Sequence, residues 1–319
     1  MRSLAFLPLS LFGLVPVGTA AQSVAPAGIA SAGGHGTAGA ALFSWTLGQV
    51  VDATSTGPST IITAGIQQPD VIWARLNVRV FLGGPYNTGT GLMNDGLRTG
   101  ALVPDSEPYT AAGAVQHGQG GGEQVVPATL AVSGPDAIVD WVFVELRSPS
   151  TPQQVLSTRC ALVQRDGDVV DSDGTSPVRL SALAGNYHVA LHHRNHLPVM
   201  TLNPVALSSA AVAIDLSNGS TATYGTDAQK LTGAVRQLWP GDATANKQVK
   251  YTGSGTDRDP ILVAVGSTTP NNILNGQYDG RDVNMDGSVK YTGSANDRDP
   301  ILVTVGSTTP NNVRAAQLP

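Results

Sequence analysis

Between residues 76 and 216 the chain carries short runs in which apolar and polar residues alternate. Alternation of this kind places every second side chain on one face, as in a half-buried β-strand. Gly, Pro, Ser and Asn separate the runs, and this punctuation is typical of strands joined by turns. The predicted strands are residues 76–82, 128–132, 140–147, 154–162, 178–180, 187–193 and 211–216.

The strand pattern predicts a mainly β protein made of several segments. Within residues 125–230, the number and spacing of the strands fit an immunoglobulin-like β-sandwich. Before it we predict a β-rich segment at residues 22–82, and an irregular loop that ends in a Gly-rich linker at residues 83–124. Residues 231–319 differ from the rest, because they contain an internal repeat and short apolar runs that predict a small α-helical pair.

The first 21 residues have the pattern of an export signal. Arg2 supplies a positive charge, residues 4–17 are mostly apolar, and small residues stand before Gln22, where cleavage is expected. Pro8 and Pro16 interrupt the apolar run, which is shorter than the about 20 residues that a membrane span needs. We therefore predict a secreted or cell-surface protein with no membrane span.

The composition excludes several classes of function. The chain has 319 residues and a net charge of −5, and its 18 basic residues are scattered, whereas nucleic-acid binding needs a concentrated basic patch. The single cysteine, Cys160, excludes an intrachain disulfide and a cysteine zinc cluster, and we predict it to be a buried apolar residue. Common nucleophile, phosphate-binding and zinc-protease motifs are absent. We predict that the protein is not an enzyme.

An internal repeat occupies the end of the chain. Residues 249–272 recur as residues 289–312 with only three differences. A duplication of this size is typical of two copies of one supersecondary unit, because a single copy cannot bury its own apolar face. We therefore expect the two copies to pack against each other.

The segment directly before the second copy has the pattern of a calcium loop. Asp282, Asn284 and Asp286 stand at alternate positions, and Gly287 and Ser288 follow them. Calcium loops take oxygen ligands from positions 1, 3 and 5, make a sharp turn at a glycine in position 6, and use the backbone carbonyl of position 7. The sequence therefore predicts Ca²⁺ as a cofactor.

The ligand that normally closes such a loop is missing from its place. Position 12 is Gly293, and the next carboxylates are Asp297 and Asp299. We infer a lengthened loop that one of these two aspartates closes, and we favour Asp297. Asp299 precedes Pro300, and an aspartate before a proline is a common helix start, so we predict Asp299 as the N-cap of a short helix that Gly306 ends.

The first copy carries a poorer version of the same loop. Asp242, Thr244 and Asn246 keep oxygens at positions 1, 3 and 5, but Lys247 stands where the glycine belongs. Asp257 occupies the place of the closing carboxylate. Fewer negative ligands weaken calcium binding, so this loop is either a low-affinity site or a vestigial one.

The tandem Asp-x-Asn-x-Asp-Gly-x-Val segment, followed by Asp-Arg-Asp-Pro-Ile-Leu, resembles type I dockerin repeats over about residues 239–314. It is most similar to the variant with a Lys-Tyr-Thr-Gly insertion at the ends of secreted proteins of Bacteroidetes. The resemblance implies two calcium-loop-plus-helix units, with Asp282, Asn284, Asp286 and Ser288 in the loop motif, and a cohesin-like protein partner. The insertion replaces the residues that choose a cohesin, so the resemblance supports calcium binding more than docking.

Two other clusters leave alternatives open. Four aspartates between residues 166 and 173 form either a second calcium site or a solvated turn. Four histidines between residues 188 and 196 form either part of a zinc site, with His117 or Asp140, or a set of half-buried side chains. Asp140 and Glu145 lie on opposite faces of one predicted strand, which is the wrong geometry for a glycosidase pair.

We therefore predict a non-catalytic secreted or cell-surface protein whose dockerin-like tail binds calcium and acts as a structural clamp or a docking module. One alternative is a secreted carbohydrate-active enzyme with an appended dockerin. Another is a carbohydrate-binding or adhesion protein, in which tryptophans stack on sugars; the candidates are Trp45, Trp73, Trp141 and Trp239.

Overall fold

The computed structural model describes residues 32–38, 41–47, 54–56, 61–63 and 73–319. The predicted export signal lies outside the described residues, and so does the side chain of Trp45. The described residues before residue 70 belong to a unit separate from the rest. In that unit β1 (Ala32–Ala38) pairs with β2 (Ala41–Leu47), and β3 (Thr54–Thr56) pairs with β4 (Ile61–Thr63), both antiparallel.

The second unit begins at residue 70 and extends to the end of the chain. Its elements in chain order are β5 (Trp73–Arg79), β6 (Tyr86–Asn87), β7 (Leu92–Met93), α1 (Gly96–Thr99), α2 (Pro127–Leu130), β8 (Ile138–Arg147), β9 (Val155–Gln164), β10 (Asp168–Val170), β11 (Val178–Ser181), β12 (Gly185–His193), β13 (His196–Met200), β14 (Val205–Leu207), β15 (Val212–Asp215), β16 (Gln229–Thr232), β17 (Val235–Leu238), β18 (Gln248–Lys250), α3 (Arg258–Ala264), β19 (Ile273–Asn275), β20 (Ser288–Lys290), α4 (Arg298–Val305) and β21 (Val313–Ala315).

The second unit is built on one sheet of nine strands. The strand order is β11-β5-β10-β9-β8-β12-β13, with β14 paired to β12 and β15 paired to β5. All of these pairings are antiparallel except that of β15 with β5. The protein is thus mainly β with antiparallel sheets, as the sequence predicts. The pairing places the strands in a single sheet, and the immunoglobulin-like sandwich remains a prediction.

Strand β8 lies inside this sheet between β9 and β12, and all of its residues are buried. Residues 83–124 pack onto it: the Tyr109 hydroxyl donates to the Trp141 carbonyl at 2.8 Å, and the Trp141 indole donates to the Pro104 carbonyl at 2.9 Å. The predicted irregular loop is therefore a layer of the core. A Cβ on Gly120 would lie 2.3 Å from the Thr158 carbonyl oxygen. The glycine tract is therefore packed against β9 and is not a flexible linker.

One element and one segment boundary differ from the prediction made from the sequence. The predicted strand at residues 128–132 is wrong, because residues Pro127–Leu130 form helix α2 with a proline in the first turn, where its fixed φ favours a helix. Strand β5, which we placed in the N-terminal segment, pairs with β10, β11 and β15 inside the large sheet. The segment boundary therefore falls before residue 73 and not at residue 82.

The duplicated segment forms its own small core. Strand β18 of the first copy pairs with β21, which follows the second helix, and β20 of the second copy pairs with β19, which follows the first helix. Each copy thus pairs with the strand that follows the other copy's helix. The buried residues of this core include Val249, Val289, Ile261 and Ile301, all 0% exposed.

The duplicated segment also shares buried residues with the sheet. Leu197 of β13 belongs to the core of the repeats, and Met285 of the second loop belongs to the core of the sheet. Backbone bridges join Leu82 to Leu238 and His196 to Pro240. In the part of the chain that the structure describes, no helix has the length and apolar character of a membrane span.

Candidate metal centre

The second loop wraps around the carboxylate of Asp282, whose side chain is fully buried. Its Oδ1 accepts the backbone N–H of Asp286 at 3.1 Å, and its Oδ2 accepts that of Gly287 at 2.8 Å. The turn requires positive φ at Met285 (61°) and Gly287 (84°), and glycine adopts this conformation without steric cost. The spacing of residues 282–287 therefore builds the turn locally.

Asp297 closes the same loop from the other side. Its Oδ1 accepts the backbone N–H groups of Val283 at 2.7 Å and Asn284 at 3.2 Å, and its Oδ2 accepts that of Lys290 at 2.8 Å. Asp297 is also fully buried. The lengthened loop thus brings the Asp297 carboxylate back to the beginning of the loop, beside Asp282.

The two carboxylates have unusual electrostatics. Burial raises the pKa of Asp282 to about 7, and burial together with the charge of Asp282 raises the pKa of Asp297 to about 8. Within residues 73–319 neither carboxylate forms an ion pair, whereas the neighbouring Asp286 faces Lys290. Buried carboxylates need a positive partner to remain charged. The pair therefore fits a divalent cation, which prefers carboxylate oxygens.

The remaining predicted ligands of the second loop surround this pair less closely. Asn284 Oδ1 accepts the backbone N–H of Asp286 at 2.9 Å. The Asp286 side chain is 36% exposed and lies 3.5 Å from Lys290 Nζ. Ser288 is in strand β20 and pairs with Asn275. The structure thus brings Asp282 and Asp297 together and leaves the side chain of Asp286 at the surface.

Asp299 points away from the loop. Helix α4 begins at Arg298, so the predicted N-cap at Asp299, with Pro300 as the first helical residue, is wrong. The N-cap is Asp297, and Asn296 before it bonds to the first turn: its Oδ1 accepts the Asp299 N–H at 2.9 Å, and its amide donates to Asp299 Oδ2 at 2.8 Å. These reciprocal bonds start the helix two residues earlier than expected. The predicted end at Gly306 is confirmed.

The first loop repeats the same scaffold. Asp242 accepts the backbone N–H groups of Asn246 at 2.9 Å and Lys247 at 2.8 Å. Asp257 accepts the Thr244 hydroxyl at 2.8 Å and the Lys250 backbone N–H at 2.8 Å. Burial raises the pKa of Asp242 to about 6 and also raises that of Asp257. The closing position at Asp257 is therefore equivalent to that of the second loop.

Two differences make the first loop a poorer cation site. Lys247 has a φ of 64° at the position of Gly287, and a side chain is disfavoured in this left-handed conformation. Asn246 is neutral where the second loop has Asp286. The first loop therefore combines backbone strain with a lower negative charge.

A buried polar network, which sequence reasoning missed, connects the second loop to the sheet. Asn195 donates its side-chain amide to the Asp282 backbone carbonyl at 2.7 Å and to the Gly280 carbonyl at 3.2 Å. The Tyr278 hydroxyl donates to Asp140 Oδ1 at 2.7 Å, and the Arg194 guanidinium lies 4.5 Å from the centre of the Tyr278 ring. The one sequence signal was an aspartate within a run of apolar residues, Ile138 to Val144.

Asp140 is the centre of this network and is fully buried in β8. Its Oδ2 lies 3.1 Å from His193 Nε2 and accepts the Arg194 Nε–H at 2.9 Å. Burial alone raises its pKa, but the Arg194 charge and the His193 hydrogen bond outweigh burial and lower the pKa to about 2. Among the described residues the histidines form no group of three metal-ligating atoms. His193, Arg194 and Tyr278 together hold the Asp140 carboxylate in place.

The other candidates of the sequence have structural partners. Glu145 pairs with Arg147 and His192, so it does not flank a cleft with Asp140. In the acidic run, Asp171 pairs with Arg159 and Arg179, and Asp173 accepts two backbone N–H groups of its own turn.

The described tryptophans do not form an exposed pair. Trp141 is fully buried. Arg179 lies 5.7 Å from the Trp73 ring centre, and Arg314 lies 3.6 Å from that of Trp239. Of the described tryptophans, Trp141 is thus buried, and Trp73 and Trp239 are partly exposed and each lie beside an arginine.

No protein-family model, curated protein or solved structure matches this chain.

Proposed function

We propose that this is a non-catalytic secreted or cell-surface protein whose dockerin-like C-terminal segment binds Ca²⁺ in its second loop and acts as a structural clamp. The observation that carries the proposal is the buried pair Asp282 and Asp297, which forms no ion pair among the described residues and whose pKa values burial raises, although the charge of Arg194 acts on Asp282 in the opposite direction. A calcium ion supplies the charge that the pair lacks.

The residues present fit such an ion. The buried carboxylates of Asp282 and Asp297 would hold it. The loop motif would add the side-chain oxygens of Asn284 and Asp286 and the backbone carbonyl of Ser288, with Asp286 turning from Lys290 to the ion. Ca²⁺ accepts between six and eight oxygens in flexible geometry, so a few ligands from the chain and some water molecules complete its shell. The ion contributes charge neutralisation and loop closure.

The second loop can act as a clamp because it contacts both the large sheet and the first copy of the repeat. Asn195 binds the backbone of Asp282, and the β19–β20 pair joins the loop to the strand that follows the first helix. An ion that binds the folded loop but not the unfolded chain stabilises the folded state by linkage. Calcium therefore stabilises the repeats and the segment of sheet around β13 together.

A calcium titration by calorimetry, with thermal melting of the full-length protein, tests this proposal. Asp282→Asn combined with Asp297→Asn should abolish both the heat of binding and the rise in Tm that calcium produces. Asp259→Asn is the matched control, since the Asp259 side chain is 53% exposed and pairs only with its neighbour Arg258; it should behave like the wild type. A wild-type Tm that a chelator leaves unchanged, with no heat on adding calcium, would exclude the site.

A docking role has one observation in its favour. Four aliphatic side chains at equivalent positions of the two copies are exposed: Val263 and Val303, at 65% and 49%, and Ile273 and Val313, at 51% and 48%. Contiguous exposed apolar patches mark interaction surfaces, and the same two exposed positions recur in both copies of the repeat. Calorimetry with a purified cohesin module in the presence of calcium tests this role. Binding by the wild type and not by Val263→Asp combined with Val303→Asp would support it.

A further inference from the structure

The side chain of Gln116 lies against the thiol of Cys160. Cys160 is in the middle of β9 and is fully buried. Its Sγ lies 3.7 Å from Gln116 Nε2, the amide nitrogen, although the two residues are 44 positions apart. The Gln116 amide N–H thus donates to the thiol sulfur, which places the carboxamide group next to a nucleophile.

The surrounding residues fix the amide of Gln116 on three sides. Its Oε1 accepts the Thr158 hydroxyl at 2.8 Å, and its Nε2 donates to Thr110 Oγ1 at 3.0 Å. Gly121 covers the third side, since a Cβ there would lie 2.8 Å from Gln116 Cγ and 3.1 Å from Cδ. The glycine tract, with a φ of 92° at Gly121, thus lets the backbone approach the amide closely. The hydroxyl on Oε1 is placed to stabilise negative charge on that oxygen.

A carboxylate accepts the thiol hydrogen. Cys160 Sγ donates to Glu107 Oε2 at 3.2 Å, and the backbone N–H groups of Tyr109 at 2.7 Å and Thr110 at 3.0 Å hold the same oxygen. Burial raises the pKa of Glu107, but hydrogen bonds from Thr110 outweigh burial and lower it. Burial and the charges of Glu123 and Glu107 raise the pKa of the Cys160 thiol. The thiol is therefore protonated at neutral pH, beside a charged carboxylate.

We propose that Cys160 and Gln116 condense to an internal thioester, which primary amines can then open. The thiol proton passes to Glu107 Oε2 as Sγ bonds to Gln116 Cδ, and Thr158 stabilises the negative charge on Oε1. The Cδ–Nε2 bond then breaks, and the proton returns to the nitrogen, which leaves as ammonia. One thiol and one amide thus give one thioester and one ammonia, with no oxidant or reductant.

The thioester would react with a primary amine such as a lysine side chain. The amine bonds to Cδ and releases the Cys160 thiol, which leaves an amide between Gln116 and the amine. Gln116 is half-buried and its neighbour Val115 is 70% exposed, so this part of the chain lies at the protein surface, from which the amine would approach. The thiol side remains closed by the sheet.

The side chains around Cys160 could instead bind a metal ion. One ligand atom each of Glu107, Glu123 and Cys160 lies within 4.8 Å of the others. Glu123, however, pairs with Arg159 at 3.3 Å and accepts the Gly121 N–H at 3.0 Å. Because a guanidinium already neutralises Glu123, and Glu107 already accepts several N–H groups, the arrangement favours acyl transfer over metal binding.

Intact-mass spectrometry of the full-length protein, combined with titration of thiols after denaturation, tests the proposal. The measured mass of the wild type should be lower, by one ammonia, than the mass calculated from its sequence. The denatured wild type should also have no thiol that reacts with iodoacetamide. Methylamine should add one methylamine to this protein and free one thiol per chain. Peptide mapping should then find the methylamide at Gln116.

Variants distinguish the ammonia lost on thioester formation from ammonia lost by deamidation elsewhere in the chain. Cys160→Ala and Gln116→Ala should each prevent the mass loss in the mapped peptides, whereas Gln119→Ala, in an exposed position nearby, should keep it. Wild type with its complete mass and one reactive thiol would overturn the proposal. So would a native mass that is higher by one metal ion and returns to the unmodified value in Glu123→Gln.

Discussion

Replacing Asp297 with asparagine should change stability in opposite directions with and without calcium. Without the ion, burial raises the pKa of the Asp297 carboxyl from 3.8 to about 8. A pKa that is higher in the folded than in the unfolded state means that the folded state keeps the proton longer. Stability from this group is therefore complete below pH 3.8 and is lost as the pH rises towards 8.

The magnitude follows from the width of that window. Each pH unit costs about 1.4 kcal/mol of unfolding free energy, so the wild type should lose about 4 kcal/mol from this group between about pH 5 and pH 8. Asp297→Asn removes this pH-dependent loss. The substitution itself lowers the free energy of unfolding by about 1–3 kcal/mol, because the new amide nitrogen cannot accept the backbone N–H that one Asp297 oxygen accepts. Over the whole window from pH 3.8 to about 8 the wild type loses about 5 kcal/mol, so at about pH 8 without calcium the variant should be more stable than the wild type by about 3 kcal/mol.

Calcium should reverse this order. At a concentration about 1,000-fold above its Kd, an ion that binds only the folded state adds about 4 kcal/mol of stability, and the variant should gain none of it. Urea unfolding followed by circular dichroism, at both pH values and with either chelator or calcium, measures all four differences. Asp259→Asn should follow the wild type throughout. If Asp297→Asn is destabilised by the same amount in all four conditions, the carboxylate contributes hydrogen bonds alone and the reasoning fails.

Three further changes have defined outcomes. Asn246→Asp with Lys247→Gly gives the first loop the residues of the second at both positions, so calorimetry should count a second calcium ion; an unchanged stoichiometry would contradict the equivalence of the loops. Asp140→Asn should lower the free energy of unfolding by about 3–5 kcal/mol, because the buried Arg194 loses its charge partner; urea unfolding that shows a loss below about 1 kcal/mol would argue against the network. Ile301→Ala should cost about 2–5 kcal/mol through a cavity in the core of the repeats, and an unaltered Tm in calorimetry would count against that core.

Features that depend on neighbouring residues were predictable from the chain alone. The turn from Asp282 to Gly287 follows from a glycine and from side chains that bond to the backbone a few positions away. The end of helix α4 follows from Gly306. The burial of Val249 and Val289 follows from the repeat itself. The start of the same helix was predicted two residues too late, because Asp297 is the N-cap and Asp299 bonds to Asn296 within the first turn.

The order of the strands was beyond such reasoning, and most of the unexpected chemistry depends on it. Tyr278 reaches Asp140 across 138 positions, and Gln116 reaches Cys160 across 44. Alternating hydrophobicity states which face of a strand is buried but not which strand lies beside it. A polar residue in the core gains its partner only when the sheet is assembled, so the role of Asp140 became visible only in the folded protein.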